Sequence, residues 1–410
     1  MKKPLSSRNL ALLLALVYFS SYVTRINFAA IIQEIITATG FAKSALSVIP
    51  VCLSITYGTG QIINGIIGDR VKPQTMILCG ISCVSAMNLI FPFFSASIPA
   101  MCVLWAINGF AQAMMWPPIV KILVCTMKGK DYESGMFLVS GGSSCGTIAV
   151  YLLAPLIISV LGWKAVFFAS ASIGVFTTVV YASQLGRIVL PEQEPAPLTS
   201  DVQKKAHFSF PRAALFPILF IALGIILQGM LRDGVSTWMP SYLVDVFGFS
   251  NTSSILATVV LAIFSLVVVW LAGKIHARFF KNEVNFAFLI FGLSALSGVA
   301  LYAFFDLSVV LSITLMMLIN GCMHAINLML IGYVPKRFSH YGNISTISGC
   351  INSCTYIGSA ISTYGIAKLV ELFDWRFTLG SWAVIGALGA IACGVAMLPW
   401  KRFYRLKDEE

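Results

Sequence analysis

The feature that most constrains this chain is the recurrence of apolar runs long enough to cross a bilayer. A helix rises about 1.5 Å per residue, so about 20 apolar residues span the hydrocarbon. Runs of that length fall at 10–32, 45–68, 75–94, 98–125, 136–161 and 165–185. They recur at 215–244, 254–275, 284–304, 309–334, 344–370 and 378–398. Backbone in lipid must satisfy its own hydrogen bonds, so the expected fold is all-α, with twelve transmembrane helices. Composition agrees, because 58% hydrophobic and 10% charged residues over 410 positions leave too little charge for a water-soluble domain of that size. The first run is expected to stay in place rather than be cleaved as a signal, since it is long, carries Arg25 and lacks a small-residue cleavage pattern.

Loops rich in Lys and Arg stay on the cytoplasmic side. With the N-terminus inside, 20 of the 27 basic residues fall in inside loops or tails. Outside fall Lys43, Lys164 and Arg376, while Arg25, Lys121, Arg232 and Lys368 lie within the runs. Both termini are therefore expected in the cytoplasm, the membrane being the cell membrane of a bacterium. This topology accounts for the net charge of +11, so no nucleic-acid partner is expected. The longest polar stretch, 187–211, carries Pro191, Pro195 and Pro197 and reads as a cytoplasmic linker between two six-helix bundles, 1–186 and 212–410. The bundles echo each other: Trp163-Lys164 precedes the sixth run and Trp375-Arg376 the twelfth, an offset of 212 residues. Pseudo-symmetric halves of this kind are built to rock about a site between them.

Arg25 and Arg232 lie 207 residues apart, each inside an apolar run. Arginine cannot escape its charge by losing a proton, and at the bilayer centre it costs about 3 kcal/mol or more. Two such residues in matching halves point to an anionic ligand, whose oxygens a guanidinium grips bidentately. Tyr18, Tyr22 and Arg25 recur at i, i+4 and i+7, on one face of a helix. The competing readings are that Arg25 snorkels outward or that Arg232 pairs with Asp233. Adjacent helical positions point about 100° apart, so that pair is expected to be poor. Asn64, Gln112, Lys121, Asn320, His324 and Asn352 are further polar residues at membrane depth and candidates to complete the site. Among them His324 can titrate near neutrality and couple transport to protons, or simply hydrogen-bond between helices.

Other motifs carry less. Ten cysteines fall in or beside the runs, and Cys79 with Cys83, like Cys350 with Cys354, stands at helical spacing. No histidine or carboxylate joins either pair, so they read as small packing residues, and neither metal nor cofactor is expected. Gly141-Gly-Ser-Ser144-Cys145-Gly146 lacks the lysine of a phosphate-cradling loop and reads as close helix packing. No nucleophile, base and oxyanion donor gather in one motif, so no enzyme is expected.

The run Gly58-Thr-Gly60-Gln61-Ile-Ile-Asn64-Gly65-Ile-Ile-Gly68-Asp69-Arg70-Val-Lys72 joins the second and third segments. It resembles the loop signature of the major facilitator superfamily, and Asp69 with Arg70 is expected to form a conformational latch. A narrower resemblance covers nearly the whole chain. It is carried by Tyr22-Val-Thr-Arg25-Ile-Asn27-Phe28, Tyr57-Gly-Thr-Gly60, Trp116-Pro117-Pro118, Leu231-Arg232-Asp-Gly234, Trp238-Met-Pro240-Ser-Tyr242-Leu243 and Leu330-Ile-Gly332 leading to Val334-Pro335-Lys336. These resemble the organophosphate:phosphate antiporters, the family of the glycerol-3-phosphate and hexose-phosphate transporters. The resemblance implies that Arg25 and Arg232 bind the phosphoryl group and that Tyr18, Tyr22, Tyr57 and Tyr356 line the central cavity. Gln61 and His324 complete the candidate substrate contacts.

The chain also departs from that family. Members that carry glycerol phosphate have lysines where this chain has Ile26 and Gln61, and a histidine in the region reading Ser143-Ser144-Cys145. Fewer cations favour a different or less charged anion. The expectation is thus a monomeric antiporter in the lipid bilayer, exchanging a small anionic, phosphorylated organic solute for inorganic phosphate by alternating access. Two alternatives stand beside it: a proton-coupled transporter of a carboxylate or sulfonate, and a non-transporting membrane sensor of phosphorylated sugar.

Overall fold

A computed structural model describes residues 4–41, 43–190, 212–249, 251–280, 282–341 and 344–408. Residues 191–211, most of the predicted linker, lie outside the described residues.

Every predicted run coincides with helix. The first half holds α1 (Ser7–Ala30), α2 (Ile32–Thr39), α3 (Lys43–Arg70), α4 (Pro73–Ile90), α5 (Ile98–Gln112), α6 (Trp116–Thr126), α7 (Gly129–Leu161) and α8 (Lys164–Gln184). The second holds α9 (Arg212–Phe247), α10 (Asn251–Phe279), α11 (Glu283–Ala303), α12 (Val309–Ile326), α13 (Ile344–Leu372) and α14 (Trp375–Asp408). Starts follow local chemistry. The side chains of Ser6, Ser97 and Ser308 accept hydrogen bonds from the first-turn amides of α1, α5 and α12, and Asn282 accepts two at the start of α11.

Several predicted segments are not single α-helices, the first crossing a break at Ile31 between α1 and α2 and the third ending in a 3-10 turn at Phe91–Phe94. The fourth is divided into α5 and α6, because Pro117 and Pro118 supply no N–H and are accommodated in the first turn of a restarted helix. The tenth passes from α12 into a π-helical stretch at Asn327–Tyr333. Such wider turns are frequent where a helix does functional work.

Ten segments among the described residues are long and apolar enough to cross a membrane. The other two predicted spans correspond to α3 and α13, which are long enough but more polar. They can be so because each faces the other: α3 and α13 pack together across the halves. Within the halves the pairing repeats. In the first, α1 packs on α7, α3 on α5 and α4 on α8; in the second, α9 packs on α13, α10 on α12 and α11 on α14. The exterior is apolar, with Leu156 65%, Val160 80% and Leu296 70% exposed, as a lipid-facing surface requires.

The halves meet at the end of the bundle that carries the turns after α3, α6, α10 and α12. Gly65 and Gly349 bring α3 and α13 into backbone contact, since a Cβ on Gly349 would stand 3.0 Å from the Gly65 Cα. Ser353 Oγ donates to the Gly58 carbonyl (2.9 Å), and Tyr57 stacks edge-on with Tyr356 at 4.5 Å. Contact between the halves thus runs from the turns at that end up to the layer of Arg25.

Candidate substrate-binding site

α1 carries Tyr18, Tyr22 and Arg25 along one face, as their spacing predicts. The Arg25 guanidinium lies 4.3 Å from the Tyr22 ring centre and 5.0 Å from that of Tyr57, and its Nη1 donates to Tyr356 Oη at 3.4 Å. Snorkelling is therefore excluded: the charge faces tyrosines from α1, α3 and α13, whose ring faces attract cations. Tyr18 is buried, 5.2 Å from the Tyr22 ring and 5.0 Å from Trp116, so it backs the cluster.

The helix that presents Arg25 is braced immediately before it. Asn88 and Asn108 both donate to the Thr24 carbonyl, at 2.9 and 3.1 Å. Gln112 Nε2 donates to the Ser21 carbonyl at 2.9 Å, and Ser21 Oγ to Gln112 Oε1 at 2.5 Å. Gln112, a candidate ligand by sequence, is thus a structural tie between α1 and α5. Asn64 donates to the Phe110 carbonyl (3.3 Å) and Asn320 to Ser265 (3.4 Å), and they tie helices in the same way.

Arg232, on α9, is not bare. Its Nε donates to Asp233 Oδ1 at 2.6 Å and its Nη2 to Asp233 Oδ2 at 2.9 Å. The expectation of a poor pair is corrected. Although the two Cα–Cβ vectors diverge around the helix, the long Arg232 stem folds back and lays one edge of the guanidinium along the carboxylate. The Nη1 edge stays outside this pair. Tyr22 and Tyr356 both lie within electrostatic reach of Arg25 and of Arg232. His324 lies within reach of the Arg232–Asp233 pair, and Ser359 bonds to Asp233.

Gln61 is fully buried, with both amide atoms unpartnered, on the α3 face packed against Gly349. It sits in the seam between halves, closer to the turns than the arginines are. Asn352 is buried on α13 in the same region.

Asp69 turns to α13 instead of to Arg70. Its two oxygens accept from the Ser345 and Thr346 amides at 2.9 and 2.8 Å, capping the positive end of that helix from the other half. Lys121 Nζ donates to the Gly68 carbonyl at 2.8 Å and stands 3.6 Å from Asp69. Lys121 therefore belongs to this junction and not to the arginine layer, and the Arg70 side chain is exposed. A second junction lies nearby. Tyr132 Oη donates to the Gly332 carbonyl at 2.5 Å, in the π-helical stretch, and Lys336 Nζ covers the Tyr132 ring at 4.4 Å. Sequence reasoning missed Tyr132 and the Asn88–Asn108 brace and undervalued Asp233 as the partner of Arg232, because polar residues within apolar runs look alike until their neighbours are known.

The profile of the Major Facilitator Superfamily matches residues 14–363. The "Probable hexose phosphate transport protein" of Chlamydia muridarum is 21% identical, covering 88% of this chain and 84% of its own. The "Glycerol-3-phosphate transporter" of Bacillus subtilis is 25% identical, covering 88% of this chain and 85% of its own. Among solved structures, FucP, a Major Facilitator Superfamily transporter in the outward conformation, superposes with a TM-score of 0.74 at 12% identity, over 95% of this chain and 98% of its own. The profile match over most of its length shows that the chain belongs to the Major Facilitator Superfamily, a family of transporters and not of enzymes, and that it is a multi-pass membrane transporter.

Proposed function

We propose that this chain moves a small anionic, phosphorylated organic solute across a bacterial cell membrane by alternating access, with Arg25 and Arg232 gripping the phosphoryl group. The single observation that carries the reading is that Arg25, buried among Tyr22 and Tyr57, donates to Tyr356 of the other half at 3.4 Å, so its charge is held at the seam between the halves where an anion can meet it. Tyr18 and Tyr57 complete the aromatic wall, and His324 borders the second arginine. In this reading 1–186 and 212–410 are the rocking halves, both termini are cytoplasmic, and Asp69 holds the cytoplasmic side shut until substrate reopens it. The relatives named for hexose phosphate and glycerol-3-phosphate support a phosphorylated solute.

The counter-substrate in this proposal is inorganic phosphate. Two cations in a medium of effective dielectric about 20 repel by a few kcal/mol at several ångströms, and a bound anion relieves what the Asp233 carboxylate leaves of that repulsion. The loaded carrier then reorients readily and the empty one slowly. A second reading, uniport or proton-coupled carriage of an organic anion, is favoured by the Arg232–Asp233 pair, since Asp233 already relieves part of the repulsion. The test is efflux of preloaded labelled phosphate from proteoliposomes. Exchange predicts fast efflux only with phosphate or organophosphate outside, whereas equal rates into anion-free buffer would select the second reading.

A further inference from the structure

Asp233 is the one carboxylate that the described structure places on a candidate site arginine, and its position defines a charge rule for the ligand. Arg232 and Asp233 form a two-point pair at 2.6 and 2.9 Å, with side chains only 14% and 25% exposed. Ser359 bonds to the same carboxylate from α13, so it is held from a second helix, and His324 on α12 lies within electrostatic reach of it. Two guanidinium groups and one carboxylate leave the arginine layer with a single unit of positive charge.

We propose that Asp233 is a specificity-determining residue that selects ligands whose anionic group carries one negative charge over those carrying two. This deepens the proposed function and rests on its assignment of Arg25 and Arg232 to the ligand. A monoanionic phosphate, a phosphodiester or a sulfonate meets Arg25 and the free Nη1 edge of Arg232 and brings the layer to neutrality. A dianion leaves one uncompensated negative charge facing Asp233, in a place too dry to screen it. The pair also withholds the Nε edge of Arg232, so a ligand finds one fork and one partial fork. Ile26 and Gln61 are uncharged, so neither adds a cation to offset the carboxylate.

The test uses two tetrahedral anions of fixed charge near neutral pH, sulfate and methanesulfonate, titrated calorimetrically into the purified full-length protein. Wild type should bind methanesulfonate at least as tightly as sulfate. Removing a unit charge several ångströms away moves a dianion more than a monoanion, so Asp233→Asn should shift the affinity ratio toward sulfate by about tenfold or more. Asp233→Glu, which keeps the charge, should keep the wild-type ratio. The proposal is overturned if wild type prefers sulfate by about tenfold, or if Asp233→Asn leaves the ratio within about twofold. Should Asp233→Asn not fold, the wild-type ratio still decides. Arg25→Lys separates the two levels of argument: if it leaves both affinities unchanged, or if neither anion binds wild type, the arginine site itself is wrong. If Arg25→Lys weakens both while Asp233→Asn changes nothing, only the charge rule falls.

Discussion

In the first half, Arg25 has no carboxylate on it among the described residues and lies by the rings of Tyr22 and Tyr57, while in the second half Arg232 is clasped along one edge by its own neighbour Asp233. The acids near the turns divide the same way. Asp69, at the end of α3, spends both oxygens on α13 in the opposite half. Glu283, at the start of α11, is fully buried and satisfied within its own half by Arg337 (3.1 Å) and Trp400 Nε1 (3.2 Å). Of these two acids the one in the second half is satisfied within its own bundle and the one in the first reaches across the gap, with Lys121 beside it and Lys336 crossing the other way to the Tyr132 ring. An interface that must open and reseal is better served by charge–amide contacts at its rim than by an ion pair locked inside one bundle. Capping a helix from the other half costs little to undo where water can replace it, whereas the buried Glu283 pair can be broken only at the expense of its bundle.

The sharpest way to break this comparison is at the arginines. Arg25→Lys keeps the charge but loses the fork, and should weaken anion binding by about 100-fold in calorimetric titration. Arg232→Lys should cost only about tenfold, because part of that fork is already taken by Asp233. Equal losses, with folding intact by size-exclusion chromatography, would erase the asymmetry.

Glu283→Gln leaves Arg337 beside a neutral amide in the bundle interior. It should lower stability by about 3 kcal/mol, read as a fall in thermal unfolding temperature, while the affinity of the surviving protein stays at its wild-type value. A binding defect without a stability defect would place Glu283 with Asp69 and not apart from it.

Asp69→Asn should do the reverse. It gives up the charged cap on α13 and the Lys121 contact, shifting the balance between halves by about tenfold toward opening at that end. The readout is labelling of a Ser348→Cys probe, in a background without the native cysteines, by a bulky thiol reagent, since Ser348 is fully buried in the closed seam. Unchanged labelling together with a lowered unfolding temperature would make Asp69 a packing residue.

The smallest effect belongs to the Tyr132 junction. Tyr132→Phe removes one hydrogen bond to Gly332 and keeps the ring under Lys336, so it should shift the same labelling rate by about 1 kcal/mol or less. A shift as large as that of Asp69→Asn would move the main latch from α3 to α7.

Much of this was legible in the residues. The apolar runs define the helices because backbone in lipid has no other partner than itself, and Tyr18, Tyr22 and Arg25 share a face because helical rotation is a local property, set by about 100° per residue. Even the divided fourth segment follows from Pro117 and Pro118, whose missing donors act within one turn. The partners were not legible. Asp69 meets amides 276 and 277 residues away, Lys121 turns to the α3 end instead of the arginine layer, and Gln61 is sealed against Gly349. Asp233 sits beside Arg232 in the chain, yet their pairing depends on which way a flexible stem folds against its neighbours, Ser359 among them. Sequence by itself determines the helices and the faces they present, since those depend on bonds within a few residues. Which charge meets which is decided only when helices far apart in the chain are packed at a given depth and rotation, because side-chain electrostatics falls off over ångströms and not over residue numbers.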